Sequence, residues 1–198
     1  MKKHLLFVMT LLVMGVAVLS CCSNNNRKPE TINTETSSSE IIALQSDESN
    51  ANGVQPIISG SFAIRNIETR KNIRPYNASV SDGNDIILYP HNKWKCLTWQ
   101  FNHIEGTAYQ LQNLYTQKTF EPMSTIETGV ALWQQPLNKD SPQWEFLEQQ
   151  DGIYTIRLKN TELYITISSD KTNSAIILMP YENSNRQKWT LIEQYPNV

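Results

Sequence analysis

A tryptophan recurs three times in this chain at a fixed interval of 45 residues, at Trp99, Trp144 and Trp189. A period of this length, repeated three times, is typical of repeat architectures and constrains every other interpretation of the sequence. Because the three copies share one spacing, we expect them to occupy equivalent places around a threefold axis. The sequence therefore predicts three structural units, over about residues 58–106, 107–152 and 153–198.

Each unit also contains four short runs in which apolar residues alternate with others. An aromatic residue opens the unit, a threonine follows seven residues later, and an apolar residue comes four residues after that. In unit order, the matching residues are Phe62, Tyr109 and Tyr154; Thr69, Thr116 and Thr161; Ile73, Phe120 and Ile165; then Ile86-x-Leu88, Val130-x-Leu132 and Ile176-x-Leu178; and finally Phe101, Phe146 and Leu191. Alternation with period two is typical of half-buried strands. We predict an all-β domain of about twelve strands without a convincing helix.

The first 20 residues differ in character from the repeats. A short basic start precedes an apolar run from Leu5 to Leu19, which is too short for a membrane-spanning helix. The run ends at Val18-Leu19-Ser20-Cys21, which resembles a bacterial lipobox. That resemblance implies a lipoprotein signal peptide over residues 1–20, cleavage before Cys21 and a diacylglyceryl thioether on its sulfur. The alternative is an ordinary secretory peptide followed by a chance cysteine.

Residues 21–57 are rich in Ser, Asn, Thr and Glu and have few apolar residues, so we expect a flexible tether. A chain of this length has a root-mean-square span of roughly 30–35 Å. Anchor and tether together predict a bacterial cell-envelope protein, held by lipid at the outer membrane or the cell surface.

Composition and cysteine usage narrow the function classes. The 198 residues have a formal net charge of -2, which argues against nucleic-acid binding because phosphate recognition needs an excess of Lys and Arg. With Cys21 as the anchor, Cys22 and Cys96 cannot form a disulfide framework. We expect Cys96 to be a small buried hydrophobic residue, since no histidine is paired with it to activate a thiol.

Three such units, each ending on a tryptophan with a glutamine near it, resemble the ricin B-type lectin family over about residues 58–198. Gln187-Lys188-Trp189 has the Gln-x-Trp motif, the second unit has Gln143 beside its tryptophan, and the first has no glutamine there. The resemblance implies a β-trefoil, with six strands in a barrel and six in hairpins that cap one end. We expect the three tryptophans to fill the core, since each can bury 150–250 Å². The alternative is that they are exposed platforms for sugar rings.

The resemblance also implies where sugar would bind. The family uses a carboxylate at the end of the second strand, an aromatic just after the third strand, and polar residues before the core tryptophan. These groups suit a sugar, which has an apolar C–H face and a rim of hydroxyls. In the second repeat the corresponding residues are Glu121 and Trp133, with Asn138 and Gln143 downstream.

The other two repeats match this pattern less well. In the first repeat the acidic place holds Arg74, the platform is Tyr89, and the following loop offers His91, Asn92 and Trp94. In the third, the two places hold Thr166 and Met179, and methionine is a poor stacking surface. We therefore expect the second repeat to carry the site, with the first as the next candidate.

Each of these assignments has a structural alternative. Trp133 would face the core if the register differed by one residue, and Glu121 would be a solvated charge. Arg74 is either a surface charge or part of a site that reads an acidic sugar. Trp94 lies in a polar loop, where a large exposed aromatic more often signals contact than packing.

The sequence thus predicts a non-catalytic carbohydrate-binding lipoprotein, whose partners are a glycan and, through Cys21, a membrane. We expect no catalytic residue, cofactor or metal, since neither His-Glu-x-x-His nor Gly-x-Ser-x-Gly occurs, and His91 and His103 are each isolated. The alternative is a trefoil that binds a protein, as an inhibitor or toxin subunit does, without binding sugar. A stacking aromatic in a shallow pocket would favour the first function, and a wide apolar patch the second.

Overall fold

The computed structural model describes residues 55–196, which form twelve β-strands and three single-turn 3-10 segments. The strands are β1 (Gly60–Asn66), β2 (Asn72–Pro75), β3 (Ile86–Tyr89), β4 (Trp99–Glu105), β5 (Ala108–Asn113), β6 (Lys118–Pro122), β7 (Leu132–Pro136), β8 (Trp144–Gln150), β9 (Ile153–Leu158), β10 (Leu163–Ile167), β11 (Ile176–Pro180) and β12 (Trp189–Glu193). The predicted all-β class and strand number are confirmed. The expected signal peptide, Cys21 and most of the expected tether lie outside the described residues. Among residues 55–196, no helix has the length and apolar character needed to cross a membrane.

Six of the strands close into an antiparallel barrel. Around the ring, β1 pairs with β4, β4 with β5, β5 with β8, β8 with β9, β9 with β12, and β12 returns to β1. The three tryptophans hold the same place in this ring. Trp99 pairs with Asn113, Trp144 with Leu158, and Trp189 with Asn66. The 45-residue period therefore corresponds to a threefold repeat of the barrel.

The other six strands form three hairpins, β2–β3, β6–β7 and β10–β11. Isolated bridges join each hairpin to the next in the same way around the axis, and they are Asp85–Trp133, Ala131–Ile177 and Ala175–Ile87. A closed barrel of six strands with three symmetric hairpins is a β-trefoil, as the family resemblance implies.

The tryptophans fill the core, as expected from their size and from the family resemblance. Trp99, Trp144 and Trp189 are each 0% exposed, and Phe101 and Phe146 are buried with them. The Trp99 indole donates a hydrogen bond to the Ile73 carbonyl at 3.1 Å, and Trp189 makes the equivalent bond to Ile165 at 3.2 Å. The Nε1 atom of Trp144 is buried without a partner. The second repeat therefore lacks one core hydrogen bond that the other two have.

The register of the third strand in the second repeat corrects the sequence alignment. Ile73 pairs with Leu88 and Ile165 with Leu178, but the equivalent Phe120 pairs with Gln134 rather than Leu132. The predicted match of Val130-x-Leu132 to Ile86-x-Leu88 and Ile176-x-Leu178 is therefore wrong by two residues.

Buried hydrogen bonding explains this error. Gln134 is fully buried, and its amide nitrogen donates to the carbonyls of Ser79 at 3.0 Å and Ser81 at 2.8 Å. With both amide N–H groups bonded, this polar side chain can hold a place that is apolar in the other repeats, although its Oε1 atom has no partner among residues 55–196. The turns before the third strands support the same alignment. In each repeat a turn residue with positive φ donates its backbone N–H to the carbonyl of the equivalent third-strand residue in another repeat. The three bonds are Gly83 to Gln134, Gly129 to Leu178 and Asn173 to Leu88.

Candidate functional site

A cavity of about 320 Å³ opens on the first repeat. Arg74 reaches it from β2, and Trp94, Lys95 and Cys96 come from the loop and 3-10 turn before β4. Tyr115 and Ala78 complete the lining, Tyr115 coming from the turn between β5 and β6. Trp94 is 37% exposed and Tyr115 is 53% exposed, so two aromatic rings are available at the surface. We call this space the first-repeat cavity.

A buried asparagine holds the two aromatic walls of the first-repeat cavity in place. The Asn113 amide nitrogen donates to the Cys96 carbonyl at 3.0 Å, two residues after Trp94 in the chain. Its side-chain oxygen accepts the backbone N–H groups of Tyr115 at 3.1 Å and Thr116 at 3.2 Å. Since Asn113 is fully buried on the barrel strand β5, both walls are fixed to the rigid part of the fold.

Arg74 is the buried charged group of the first-repeat cavity. It is only 6% exposed, and its guanidinium carbon lies 3.5 Å from the centroid of the Tyr89 ring. The Tyr89 and Trp94 rings are in turn 6.4 Å apart, centroid to centroid. The structure thus brings together three residues that the sequence assigned to the first repeat. The other two loop residues, His91 and Asn92, are exposed and do not line the cavity.

The Arg74 charge has no acidic partner among residues 55–196. Its Nε atom is buried without a hydrogen bond, and Nη1 lies 4.0 Å from the Cys96 sulfur. Burial raises the pKa of the Cys96 thiol, and this outweighs the opposite effect of the nearby Arg74 charge. The thiol is therefore neutral at pH 7 and leaves the guanidinium charge uncompensated.

The second repeat has a cavity of about 290 Å³ at the equivalent position, which we call the second-repeat cavity. Its lining includes Pro122, Ile126, Ser141, Gln143, Lys159 and Asn160, and no aromatic residue. The Gln143 side-chain oxygen accepts a hydrogen bond from Lys159 at 2.8 Å, and Lys159 also forms an ion pair with Glu105. Asn138 lies outside the lining, where its side-chain oxygen accepts the Asp140 backbone N–H at 2.8 Å. Of the two downstream residues predicted for this repeat, only Gln143 faces the cavity.

Glu121 and Trp133 lie side by side, because they are directly opposite each other on β6 and β7. Directly paired residues place their side chains on one face of a sheet. Trp133 is half-buried, its Nε1 atom is buried without a partner, and its ring packs against the backbone of Gly83. Neither residue lines the second-repeat cavity.

The corrected register also moves Trp133 away from the platform place. The isolated bridges between the hairpins align Trp133 with Ile87 and Ile177. Two residues further along the strands, Gln135 is therefore equivalent to Tyr89 and Met179. The prediction that Trp133 and Tyr89 are equivalent is therefore wrong, for the same reason as the strand alignment: buried Gln134 takes a place that is apolar elsewhere.

Polar groups of the third repeat bond to one another. The Gln187 amide nitrogen donates to the Thr166 hydroxyl at 3.0 Å and to the Pro180 carbonyl at 2.7 Å, and its oxygen accepts the Glu182 N–H at 2.7 Å. Gln187 is therefore a structural residue that ties the loop before Trp189 to the hairpin. Arg186 occupies the place of Cys96 and donates to the carbonyls of Ile167 and Ser168.

The two histidines of the described region do not form a pair. His91 contacts the Asn72 amide at 3.0 Å, and partial desolvation together with the charges of Arg65 and Lys93 lowers its pKa. His103 contacts the Gly106 carbonyl at 3.0 Å. Across residues 55–196, no group of three or more His, Cys, Asp or Glu side chains is placed to hold a metal ion.

Tyr115 and Asn113 contribute to the first-repeat cavity but were missed by sequence reasoning. Tyr115 follows Trp99 by 16 residues and comes after a barrel strand of the next unit, so it lies outside the segment that the family pattern covers. One signal was available, since a tyrosine in the polar turn before Lys118 has no alternating apolar neighbours that predict burial. Asn113 gave no signal, because its role depends on the pairing of β4 with β5.

The comparisons with known proteins agree with this architecture. Residues 95–180 match the family model described as "Ricin-type beta-trefoil lectin domain-like". No curated protein matches the chain significantly.

Several solved structures share the fold. A designed threefold symmetric protein, ThreeFoil, has a TM-score of 0.65 at 20% identity and covers 68% of this chain and 99% of its own. The Rhizoctonia solani agglutinin has a TM-score of 0.64 at 14% identity, over 71% of this chain and 99% of its own. The Macrolepiota procera ricin B-like lectin, solved in complex with lactose, has a TM-score of 0.59 at 20% identity, over 71% and 100%. The described domain is thus a β-trefoil, and its resemblance to the ricin-type lectin family is confirmed by the match over residues 95–180.

Proposed function

We propose that this protein is a non-catalytic carbohydrate-binding protein and that its site is the first-repeat cavity. The observation that carries the proposal is the pair of exposed rings, Trp94 and Tyr115, on either side of a cavity that has the Arg74 guanidinium in its wall. Aromatic faces suit the C–H face of a sugar, and hydrogen-bond donors suit its hydroxyl rim. The cavity is at the small end of ligand pockets, so it fits about one sugar unit.

The lectin-like fold supports this function over a protein-binding one. The Macrolepiota procera protein of the same fold was solved with lactose, and an earthworm R-type lectin domain with a TM-score of 0.53 was solved with GalNAc. Both are under 25% identical to this chain, so they support the scaffold and not the position of the site. The position rests on the cavity itself.

A second candidate site for the same function is the pair Glu121 and Trp133. The β6–β7 register puts a carboxylate directly beside an aromatic ring, which is the combination that the family pattern requires. Against it, the Trp133 ring is half-buried on Gly83, which leaves less of its face for a sugar. The exposed Trp94 therefore makes the first repeat the stronger candidate.

A glycan array probed with the full-length protein would test the function, and three variants would locate the site. Trp94→Ala should weaken binding of the selected glycan about ten- to hundredfold, since loss of a large apolar contact is worth roughly 1–3 kcal/mol. Trp133→Ala tests the second candidate, and Met179→Ala in the third repeat is the control that should leave binding unchanged. Thermal melts should show first that each variant is folded.

The outcomes separate the candidates. Binding that survives Trp94→Ala but is lost with Trp133→Ala would place the site in the second repeat. An intact protein that binds no glycan on the array would contradict the carbohydrate function and favour a protein partner.

We also propose that a lipid on Cys21 holds the protein in a bacterial cell envelope, with residues 21–57 as the tether. The support is the sequence alone, because Cys21 follows directly after the apolar run. Cys21→Ala should move the protein from the detergent phase to the aqueous phase, since acyl chains contribute about 0.8 kcal/mol per buried CH₂. Cys22→Ala is the matched control and should stay in the detergent phase. Continued detergent partitioning of Cys21→Ala would exclude this anchor.

A further inference from the structure

The ionisable lining of the first-repeat cavity is cationic. Arg74 and Lys95 line it, and no Asp or Glu does. Arg74 has no ion-pair partner among residues 55–196, and the adjacent Cys96 thiol is neutral at pH 7. A buried charge without a partner is unfavourable, so buried cations are normally paired. The guanidinium in the wall of the first-repeat cavity therefore favours an anionic partner.

We propose that the first-repeat cavity takes an anionic sugar, one that carries a carboxylate or a sulfate group, and that Arg74 binds this group. The inference rests on the proposed function and names the class of ligand for the same site. Guanidinium matches carboxylate and sulfate oxygens because its N–H groups form a planar fork.

The packing around Arg74 orients the guanidinium for such a ligand. Its face lies on the Tyr89 ring, with the central carbon 3.5 Å from the ring centroid. Stacking occupies one face of the guanidinium and leaves the N–H groups at its edge to donate in the plane. Nε is buried and Nη1 lies against the Cys96 sulfur, so the ligand would bind through Nη2. The cation is thus held in one orientation before any ligand arrives.

The aromatic walls would hold the rest of the sugar. With the anionic group at Arg74, the ring of the same sugar unit lies between Trp94 and Tyr115, in a cavity of about 320 Å³. The second-repeat cavity offers no such site, because its cation, Lys159, is already bonded to Glu105 and Gln143. The attraction is also local, since the chain as a whole has a net charge of -2.

Matched pairs of probes test the inference on the full-length protein by calorimetric titration. One pair is oligogalacturonate and its methyl ester, which differ in charge but share the ring. The other is a galactose oligosaccharide with and without a sulfate ester. The charged member should bind about ten- to hundredfold tighter, as a charge-assisted hydrogen bond would give. The preference should shrink when sodium chloride is raised from about 50 to 500 mM, since salt screens the attraction.

Three variants assign the preference to Arg74. Arg74→Met keeps the chain length without the charge and should remove the preference. Arg74→Lys keeps the charge without the fork and should retain part of it. Arg70→Met removes an exposed arginine from the same repeat and should change nothing. Should Arg74→Met fail to fold, Arg74→Lys and the probe pairs on the unchanged protein still decide the question.

Each outcome bears on the inference. Preference for both charged probes supports an anionic ligand, and preference for one alone also identifies the group. Equal affinity for charged and neutral members would overturn the inference while leaving carbohydrate binding intact. A preference that persists in folded Arg74→Met would overturn the role of Arg74. Failure to bind these probes and every glycan on the array would overturn the proposed function as well.

Discussion

The first and second repeats use the same backbone places for different side chains. Both place a cavity beside the loop that precedes the core tryptophan, but the residues at equivalent positions differ in charge and in shape. The pairs, first repeat before second, are Arg74 and Glu121, Trp94 and Lys139, Cys96 and Ser141, Asn113 and Leu158, and Tyr115 and Asn160. The trefoil core therefore constrains the backbone strongly and the cavity chemistry weakly, as expected when function lies in loops on a rigid scaffold.

The two cavities also differ in how their polar groups are satisfied. In the second repeat Lys159 bonds to Glu105 and Gln143, so its charge is compensated within the protein. In the first repeat Arg74 stacks on Tyr89 but has no acidic partner among residues 55–196, and Trp94 and Tyr115 expose their rings. An unpaired donor and exposed aromatic surface are the features that we expect of a binding site, whereas the cation of the second-repeat cavity is already bonded within the protein.

The largest expected effect is on the core that both cavities share. Trp144→Ala should lower the free energy of unfolding by roughly 3–5 kcal/mol, as large-to-small substitutions at fully buried positions do. Urea denaturation followed by fluorescence or circular dichroism would measure the change. Because one barrel supports both cavities, ligand binding in the first repeat should fall together with stability. An unchanged urea midpoint would show that Trp144 does not fill the core.

The next effect concerns the residue that ties the two walls of the first-repeat cavity. Asn113→Leu introduces the side chain that the second repeat has at this place, Leu158. It removes the bonds to the Cys96 carbonyl and to the N–H groups of Tyr115 and Thr116, so we expect a loss of roughly 1–3 kcal/mol of stability. The reverse change, Leu158→Asn, is the control for side-chain size. Equal stability of Asn113→Leu and the unchanged protein would rule out this role.

The fold could be predicted because its signals are short-range and repeated. The tryptophans recur at one spacing, and apolar residues alternate with others in each short run. These two signals predicted about twelve strands, and the structure has twelve. The register of β7 could not be predicted in the same way. Val130 and Leu132 satisfy the apolar pattern, and only the carbonyls of Ser79 and Ser81 make Gln134 acceptable in a buried place. Those acceptors belong to another repeat, so the sequence around Gln134 contains no trace of them.

The residues of the candidate site were predicted or missed for the same reason. Arg74, Tyr89 and Trp94 were predicted together because the family pattern places them within one repeat, and they do lie together. Tyr115 was missed because it reaches the first-repeat cavity only through the pairing of β4 with β5. Trp133 was assigned to a platform that Gln135 occupies, which follows from the misread register. Contacts within a repeat were predictable, and contacts between repeats were not.

A smaller effect distinguishes the core tryptophans of the first and second repeats. Trp99→Phe removes the hydrogen bond to the Ile73 carbonyl, whereas Trp144→Phe removes an N–H that has no partner. Both substitutions also remove ring volume, and that loss is similar in the two. We therefore expect Trp99→Phe to cost about 1–2 kcal/mol more than Trp144→Phe. Urea midpoints of the two variants, measured side by side, would check this. A larger loss for Trp144→Phe would contradict the assigned hydrogen bonds.

The smallest expected effect tests whether the aromatic wall makes the first-repeat cavity a binding site. Tyr115→Asn introduces the residue that the second repeat has at this place, Asn160, and removes a ring that is 53% exposed. Because Tyr115 is exposed, stability should change little, while affinity for the selected glycan should fall by roughly 0.5–1.5 kcal/mol, or about two- to tenfold. Calorimetric titration measures the affinity, and a thermal melt checks the fold.

The reciprocal variant, Asn160→Tyr, adds a ring to the second-repeat cavity. It should not create a second binding site, because Glu121 holds the place of Arg74 there and Lys159 is already bonded to Glu105. Titration should still give one site per chain. A second site in Asn160→Tyr would mean that the ring alone is sufficient, and that the unpaired Arg74 is not what distinguishes the first repeat.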